Sequence, residues 1–340
     1  MLINNFLKHY NRARFHMPGR HGCGDFAPLG RAIRKLGANH KHDITEITGA
    51  GDLYSTTGLI AESERQTSRF TDAGAYTIYS AGGSTLCIQT IAVLLKEHGV
   101  TRLAAYNDYH IAIKNACTLL GVELLEIEPN AEIPDGVQAL WVTSPTYLGT
   151  IRNIREIANQ CHTRNMYLAV DNAHGAHLFD NHPILLGADL CNDSAHKTLP
   201  CLTGGAFLNI KQSFAGKPAA KAAMSLFGST SPSYLILASL ETAAHYLRAK
   251  APADFEKLAA TYKKLDALAV SHGFTSQPEL GDITKFIVKK FGKTGAEILQ
   301  HLHRCKIEPE LTGSDYVLLM LSPFNKKRDY RRLKHFLKTV

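Results

Sequence analysis

The sequence predicts an α/β protein with a mostly parallel, seven-stranded sheet, helices on both faces and a small C-terminal α+β lobe. Three observations lead to this fold class. Short apolar runs alternate with helix-length segments between residues 76 and 210. Several of these runs are apolar throughout, which is typical of strands buried on both faces beneath crossover helices. From residue 233 onward, longer helical patterns replace the alternation.

The elements of the two regions can be assigned in order. In the second region, "SYLILASLETAAHYLRAKA" and "ADFEKLAATYKKLDALAVSHG" are predicted helices, the first apolar at close spacing and the second amphipathic. A strand at "TKFIVKKF", a helix over 294–304 and a strand at "YVLLMLS" complete the small lobe. The seven strands of the large sheet are predicted at "AYTIYSA", "RLAAY", "ELLEIE", "QALWVTS", "MYLAVD", "DLCNDSA" and "GAFLNI".

These patterns divide the chain into three regions. Residues 1–60 are rich in Gly, His and Thr and lack periodicity, so they are predicted to be an N-terminal arm and loops. Residues 61–232 form the large domain, and residues 233–340 form the linking helices and the small C-terminal domain.

The net charge of +8 comes mainly from the end of the chain, where residues 326–340 hold seven Lys and Arg against one acid. A nucleic-acid patch is one interpretation. The interpretation favoured here is a terminal helix with a solvated basic face and with Leu333, Phe336 and Leu337 turned inward, because no groove of aromatic and basic residues accompanies it. No nucleic-acid partner is therefore expected.

The cysteines and the apolar runs bear on location. Seven cysteines, an odd number with no C-x-x-C pair, favour reduced thiols in the cytoplasm over a disulfide framework or a zinc knuckle. No apolar run approaches the roughly 18 residues of a membrane span, and the N-terminus has no apolar core of a secretory signal. A cytoplasmic protein without a membrane partner is expected.

Residues that follow the predicted strands are the candidates for function, since ligands of such sheets bind beyond the carboxyl ends of the strands. After the first strand, Gly82 and Gly83 form a tight turn and Ser84 and Thr85 open a helix. Such a helix start is an anion site. The alternative is that Ser84 or Thr85 simply caps the helix.

Later strand ends supply further polar groups. His110 follows the second strand, and Asp171 stands where "MYLAVD" ends. Asp171 could instead cap the next turn. His174 and His177, three residues apart, allow a metal site, but no third ligand lies at a telling spacing and no metal is predicted.

Lys197 follows the next strand and completes a set of groups at one sheet edge. A phosphate cradle (Ser84, Thr85), a ring-sized His110, a carboxylate (Asp171) and a lysine match the needs of pyridoxal 5'-phosphate. The cofactor's aldehyde forms a Schiff base with a lysine, and a nearby carboxylate keeps its pyridine nitrogen protonated.

The chain resembles the pyridoxal-phosphate enzymes of fold type I and, within them, the bacterial Orn/Lys/Arg decarboxylase family (major domain). The resemblance runs from Phe15 to the C-terminal lobe. The stretches that carry it are "FHMPGRHG", "SAGGST", "VTSPTYLGTIRNI", "VDNAHGAHL", "SAHKTLPCLTGGA" and "STSPSYLILASL".

The resemblance implies a role for each site residue. Lys197 would form the Schiff base, Asp171 would pair with the pyridinium, His110 would stack on the ring and His174 would lie beside the cofactor. Thr230 would reach in from the other subunit of a homodimer with shared active sites. The remaining cofactor-binding residues implied are Gly83, Ser84, Thr85, Ser194 and His196.

The sequence also departs from the family pattern. Arg20 and His21 stand where the family has His and Lys, and Gly82 stands where it has Asn. The family continues into a further C-terminal domain, and the resemblance leads us to expect a short form of the enzyme without it.

The expected activity is decarboxylation of a basic amino acid (lysine, arginine or ornithine) to the amine and carbon dioxide. Glu46 and Asp52 are the candidates for contact with the substrate's cationic side chain. Two alternatives stay open: an aminotransferase or lyase on the same scaffold, and a cofactor-bound regulatory or scaffold protein. The absence of Arg from "KIEPELTGSDYVLLMLSPFN" leans against transamination.

Overall fold

A computed structural model describes residues 12–19, 44–129, 131–275 and 281–340 of the chain. Elements are numbered in chain order. The strands are β1 (Ala13–Phe15), β2 (Ala75–Ser80), β3 (Arg102–Tyr106), β4 (Glu123–Ile127), β5 (Ala139–Thr143), β6 (Tyr167–Asp171), β7 (Leu190–Asp193), β8 (Ala206–Lys211), β9 (Lys285–Lys289), β10 (Ile307–Pro309), β11 (Leu311–Thr312) and β12 (Tyr316–Met320). The α-helices are α1 (Leu59–Thr67), α2 (Gly83–Glu97), α3 (Ile111–Leu120), α4 (Ile154–Thr163), α5 (Ala195–Thr198), α6 (Lys217–Ser225), α7 (Tyr234–Ala249), α8 (Ala251–Ser271), α9 (Gly295–Arg304) and α10 (Lys327–Thr339).

The large sheet has seven strands in the order β2-β8-β7-β6-β5-β3-β4. Strand β8 runs antiparallel to both of its neighbours, and the other four pairings are parallel. Each of the seven predicted strands is present, and the predicted fold class is confirmed. The run "DLCNDSA" ends as a strand at Asp193, because the chain turns into the short helix α5 immediately afterwards.

Burial explains why these segments form strands. All five residues of β5, including Trp141, are buried, and Val142 and Leu168 are completely inaccessible. A strand covered on both faces must be apolar on both faces, since either face would otherwise bury polar groups. Strands β3, β5, β6 and β7 are parallel to one another, so their carboxyl ends lie at one edge of the sheet, where the polar residues follow.

The small lobe carries a three-stranded antiparallel sheet in the order β11-β12-β9. Helix α9 starts at a capping box, in which Thr294 and Glu297 satisfy each other's backbone N–H groups. In α10, Leu333, Phe336 and Leu337 are completely buried, so the predicted inward face of this basic helix is confirmed.

The N-terminal arm is tied to the small lobe by a pair of strands. Strand β1 pairs in parallel with β10, with Ala13 opposite Ile307 and Phe15 opposite Pro309. The sequence prediction of an irregular arm missed this pairing. Arg20 and His21, which depart from the family pattern, lie outside the described residues.

Two observations concern location. Across the ranges described, no helix combines the length and the apolar character that a bilayer crossing needs. The six cysteines in those ranges are free thiols, and their positions are 87, 117, 161, 191, 201 and 305.

Candidate active site

A cavity of about 540 Å³ opens at the carboxyl ends of the parallel strands. It brings together the residues that follow β2, β3, β6 and β7, as the strand-end rule predicts. It is lined by Met17, Gly83, Ser84, Thr85, Ile88, Asp108, Tyr109, His110, Thr143, Tyr147, Asp171, Ala173, His174, Ser194, His196 and Lys197.

One end of the cavity is the N-terminus of α2. Gly83 has a φ of 69°, which favours glycine, and its N–H donates to the carbonyl of Gly204 at 2.7 Å. The amides that follow in the first turn have no acceptor within the helix. No side chain caps this helix, and Ser84 Oγ instead lies 2.6 Å from Ser194 Oγ. The capping alternative for Ser84 or Thr85 is therefore wrong, and the helix start is free to bind an anion.

Asp171 lines the cavity at the end of β6 and is 2% exposed. Its Oδ1 accepts from the Ala173 amide at 3.1 Å and from Asn192 Nδ2 at 2.7 Å. Among the residues described here, no partner is found for Oδ2. Asp171 thus holds the following turn with one oxygen and keeps the other for a ligand.

Lys197 also lines the cavity, on the short helix that follows β7. Its Nζ lies 3.1 Å from His174 Nε2. Burial lowers the pKa of Lys197, although the charges of Asp171 and Glu310 oppose the shift. A lowered pKa makes the uncharged, nucleophilic amine more available.

Three histidines surround these groups. His110 is the N-cap of α3, where its Nδ1 accepts from the Ala112 amide at 3.2 Å. His196 Nδ1 lies 3.1 Å from the carbonyl of Gly205, and burial lowers its pKa. His174 is 4% exposed and contacts lysines through both ring nitrogens.

Metal ligation by His174 and His177 has no support in their contacts, because each contacts a different partner. His177 Nε2 lies 3.3 Å from the carboxylate of Asp282. His182, Cys191 and Asp193 also lie within ligand distance of one another.

The positive groups around Asp193 indicate that this second trio is a structural ion-pair network and not a metal site. The Asp193 carboxylate is 3.1 Å from His182 Nε2 and 3.9 Å from the Arg69 guanidinium, which would repel a cation. Burial keeps Cys191 a neutral thiol by raising its pKa well above the usual value.

Three sequence candidates do not reach the cavity within one chain. Glu46, Asp52 and Thr230 are exposed. A second cavity of about 270 Å³ is lined by Tyr54, Thr85 and residues on both sides of Thr230, which are Phe227, Gly228, Ser229, Ser231, Pro232 and Ser233. Burial raises the pKa of Tyr54, and the negative charges of Asp52 and Glu46 add to the shift. Because Thr85 lines both cavities, this second cavity adjoins the anion end of the first.

A larger cavity of about 760 Å³ lies elsewhere, lined by residues that include Tyr106, Arg152 and Glu156. Arg152 is already paired there with Asp108 at 2.5 Å. This cavity has no lysine beside a free carboxylate, so it offers none of the chemistry of the smaller one.

Sequence reasoning missed four residues near Lys197. Tyr147 lines the cavity and donates its hydroxyl to Glu310 at 2.7 Å. Lys285 lies behind His174, and Gly19 packs on the Lys197 backbone. The signal that could have found Lys285 is a lysine at the start of the apolar strand "TKFIVKKF", a position where burial requires a partner.

The donor set fits pyridoxal phosphate. The helix start suits a phosphate, the free oxygen of Asp171 suits a protonated ring nitrogen, and Lys197 suits an aldehyde. In addition, the hydroxyl of Thr143 is buried in the lining without a hydrogen-bond partner in the described ranges. Such an orphaned group is expected where a ligand supplies the partner.

Comparison with known proteins agrees with this chemistry. Residues 122–262 match the family described as Orn/Lys/Arg decarboxylase, major domain. The Bacillus subtilis protein called "Uncharacterized protein YaaO" is 27% identical over 353 residues, which is 94% of this chain and 72% of that protein. An arginine decarboxylase of Bacillus subtilis is 26% identical over 384 residues, which is 100% of this chain and 76% of that protein. The resemblance drawn from the sequence is confirmed.

Solved structures share the fold. A Burkholderia pseudomallei sphingosine-1-phosphate lyase has a TM-score of 0.72 at 17% identity, covering 99% of this chain and 87% of that one. A NifS-like protein from Rickettsia africae has a TM-score of 0.74 at 12% identity, and the match covers 96% of this chain and 99% of that one. A serine palmitoyltransferase from S. paucimobilis, solved with a PLP–myriocin aldimine, has a TM-score of 0.70 at 15% identity, covering 96% and 86%. The expected fold type I architecture is confirmed.

Proposed function

From the match of residues 122–262 to the major domain of the Orn/Lys/Arg decarboxylase family, we propose that the chain is a pyridoxal-phosphate-dependent decarboxylase of a basic amino acid. The candidate substrates are lysine, arginine and ornithine. One observation carries the proposal: a single cavity holds the start of α2, the carboxylate of Asp171 and the amine of Lys197. A reducing, cytoplasmic location is part of the proposal, and the free thiols support it.

Pyridoxal phosphate supplies an aldehyde that condenses with amino groups and a ring that accepts an electron pair. In this proposal Lys197 attaches to the aldehyde and His110 packs on the ring. Asp171 keeps the ring nitrogen protonated, because an adjacent carboxylate favours the cationic form. The phosphate is held by Gly83, Ser84, Thr85, Ser194 and His196.

The overall reaction replaces an α-carboxylate by a proton and releases carbon dioxide. The site must therefore hold a proton close to the substrate's α-carbon. Lys197 Nζ and His174 Nε2, 3.1 Å apart, are the groups suited to this task. Burial lowers the pKa of both groups, which favours their neutral forms.

A basic substrate needs an acid for its side chain. Glu310 supports this need, since its carboxylate accepts from the Tyr147 hydroxyl at 2.7 Å and from the Met17 amide at 2.8 Å at the edge of the cavity. Glu46 and Asp52 stay candidates through a second subunit. Arginine is the first substrate to test, because named relatives are arginine decarboxylases.

We also propose a homodimer with shared active sites. Exposed apolar side chains favour it, since Leu226 and Leu59 are 66% and 61% exposed, and Leu226 directly precedes the segment Phe227–Ser229 that lines the second cavity. Thr230 would then reach the partner's phosphate site, and the exposed apolar residues would be covered.

The deciding experiment is a scan of amino acids with the purified chain and pyridoxal phosphate, in which carbon dioxide, amine, keto acid and aldehyde are measured. Amine and carbon dioxide from arginine, lysine or ornithine are expected, with no release by Lys197→Ala. Keto acid in place of amine would establish the aminotransferase alternative. Aldehyde release without carbon dioxide would establish a lyase such as the structural neighbours include. No turnover with any amino acid would leave the regulatory or scaffold role and overturn the proposal.

A further inference from the structure

The imidazole of His174 lies between two lysines. Its Nδ1 is 2.7 Å from the Nζ of Lys285, and its Nε2 is 3.1 Å from the Nζ of Lys197. His174 and Lys285 are 4% and 1% exposed, so water does not compete for the contact between them. Lys285 begins a strand of the small lobe, whereas Lys197 follows a strand of the large sheet. The three side chains therefore form a line that crosses from one lobe to the other.

Hydrogen-bond chemistry restricts the protons along this line. An ammonium group only donates, and a neutral imidazole has one donor and one acceptor nitrogen. With Lys285 charged, Nδ1 of His174 must accept and the ring proton must sit on Nε2. The Nε2–H group then points at Lys197, whose amine must be uncharged to accept it. Burial, followed by the two lysine charges, lowers the pKa of His174 well below its usual value, so the ring is neutral.

The surroundings of Lys285 favour one positive charge there. Burial lowers its pKa to about 8, while the carboxylates of Asp282 and Glu310 support the charge and Lys197 opposes it. Asp282 is itself buried and paired with His177 at 3.3 Å. Lys285 is thus charged at neutral pH and close to the point where it releases its proton.

We propose that Lys285 is a positioning residue that stores a proton for Lys197 and exchanges it through His174. The transfer is balanced. Lys285 gives a proton to Nδ1 while the proton on Nε2 moves to Lys197, which leaves a neutral Lys285, the Nδ1–H form of His174 and a charged Lys197. The reverse transfer restores the free amine of Lys197, and solvent recharges Lys285 between turnovers.

This inference rests on the proposed function, because decarboxylation consumes one proton per turnover and a stored proton meets that need. It also has a consequence before any turnover. A buried charge on Lys285 disfavours a second charge on Lys197, whereas Asp171 and Glu310 favour one. Removal of the Lys285 charge should therefore raise the pKa of Lys197 and reduce its free amine at neutral pH.

The first test is the position of the ring proton in the full-length protein. Nitrogen NMR of His174, assigned with His174→Gln, should show the Nε2–H tautomer in the unmodified chain at pH 7. Lys285→Met should raise the Nδ1–H population, since Nδ1 loses its donor. A wild-type ring protonated on Nδ1 would overturn the proposal, whatever the variant does.

The second test is the pH dependence of cofactor attachment, followed by visible absorbance and, after borohydride reduction, by the mass of the peptide carrying Lys197. Lys285→Met should raise the pH at which half of the protein carries the cofactor on Lys197 by about one unit. Lys289→Met is the matched control, because Lys289 lies on the same strand and pairs with Asp315 at the surface. It should leave the midpoint unchanged.

The two proposals fail in different ways. Absence of cofactor on Lys197 in the wild-type chain would remove the proposed function. Normal attachment in both chains, with the same midpoint in Lys285→Met as in the wild type, would remove only the role of Lys285.

Discussion

Gly19 packs directly on the main chain of Lys197. A Cβ atom at Gly19 would stand 2.4 Å from the Lys197 carbonyl oxygen. The Gly19 amide donates to the His196 carbonyl at 3.0 Å, and its carbonyl accepts from the Ser322 hydroxyl of the small lobe. The end of the arm thus joins the lysine-bearing turn to the small lobe and leaves no space for a side chain.

We expect Gly19→Ala to displace this turn and to lower kcat/KM by about 10²-fold, the loss that accompanies a misplacement of about 1 Å. Steady-state kinetics and cofactor content measure the effect. Gly216→Ala is the control, because its Cβ would meet only Pro218 Cδ, at an ordinary 3.7 Å. Equal activity of both variants would show that the contact with Lys197 has no role in positioning.

We expect Asp171→Asn to keep the fold and to lower kcat on the order of 10²-fold or more, because the amide removes the charge that keeps the ring nitrogen protonated. The check is turnover together with circular dichroism and cofactor content. Asp180→Asn, an exposed change in the segment after the same strand, should be neutral. Wild-type turnover by Asp171→Asn with full cofactor content would reduce Asp171 to a turn residue.

Mixing Lys197→Ala with Thr230→Arg should restore activity that neither variant has alone. In a mixed dimer with shared sites, one site carries both lesions and the other carries none. Random exchange makes half of the dimers mixed, so about a quarter of wild-type activity should return. A chain with both substitutions, mixed with Lys197→Ala, should restore nothing. A fully active monomer in sedimentation would contradict the shared site.

Lys221→Met should destabilise the fold by about 3–5 kcal/mol, because it leaves the buried carboxylate of Glu64 short of a partner. Lys221 Nζ lies 2.6 Å from Glu64 Oε1, and their side chains are 1% and 0% exposed. Lys217 at 2.9 Å, with its side chain 22% exposed, compensates only in part. Urea unfolding measures the loss. Lys257→Met, whose side chain is 79% exposed, should change stability by less than about 0.5 kcal/mol.

One physical reason explains why the large sheet and the centre of the site could be predicted from the sequence. Strands buried on both faces must be apolar throughout, so β5 and β6 are visible as runs, and parallel strands end together. Asp171 ends β6 and Lys197 follows β7, so both could be placed at that edge. Ser84 shows the limit of this reasoning: its hydroxyl bonds Ser194 rather than capping its own helix, and only the folded chain brings the two serines together.

Lys285 and Glu310 were not predicted as site residues because they come from the other lobe. The apolar run of β9 makes a buried Lys285 visible, but no local pattern tells which groups it meets. Their positions behind His174 and Tyr147 follow from how the small lobe packs on the large sheet. The pairing of β1 with β10 was missed for the same reason, since a three-residue strand carries no local periodicity.

That pairing has a consequence for synthesis of the protein on the ribosome. The arm is made long before its partner strand at Ile307–Pro309. The large sheet is complete long before then and, because domains fold as units during translation, can form first. A nascent chain halted before Ile307 would thus already hold its lysine and carboxylate side by side, with Gly19 not yet anchored over them. The pairing of β1 with β10 comes later, and only then is Gly19 held against the turn that carries Lys197.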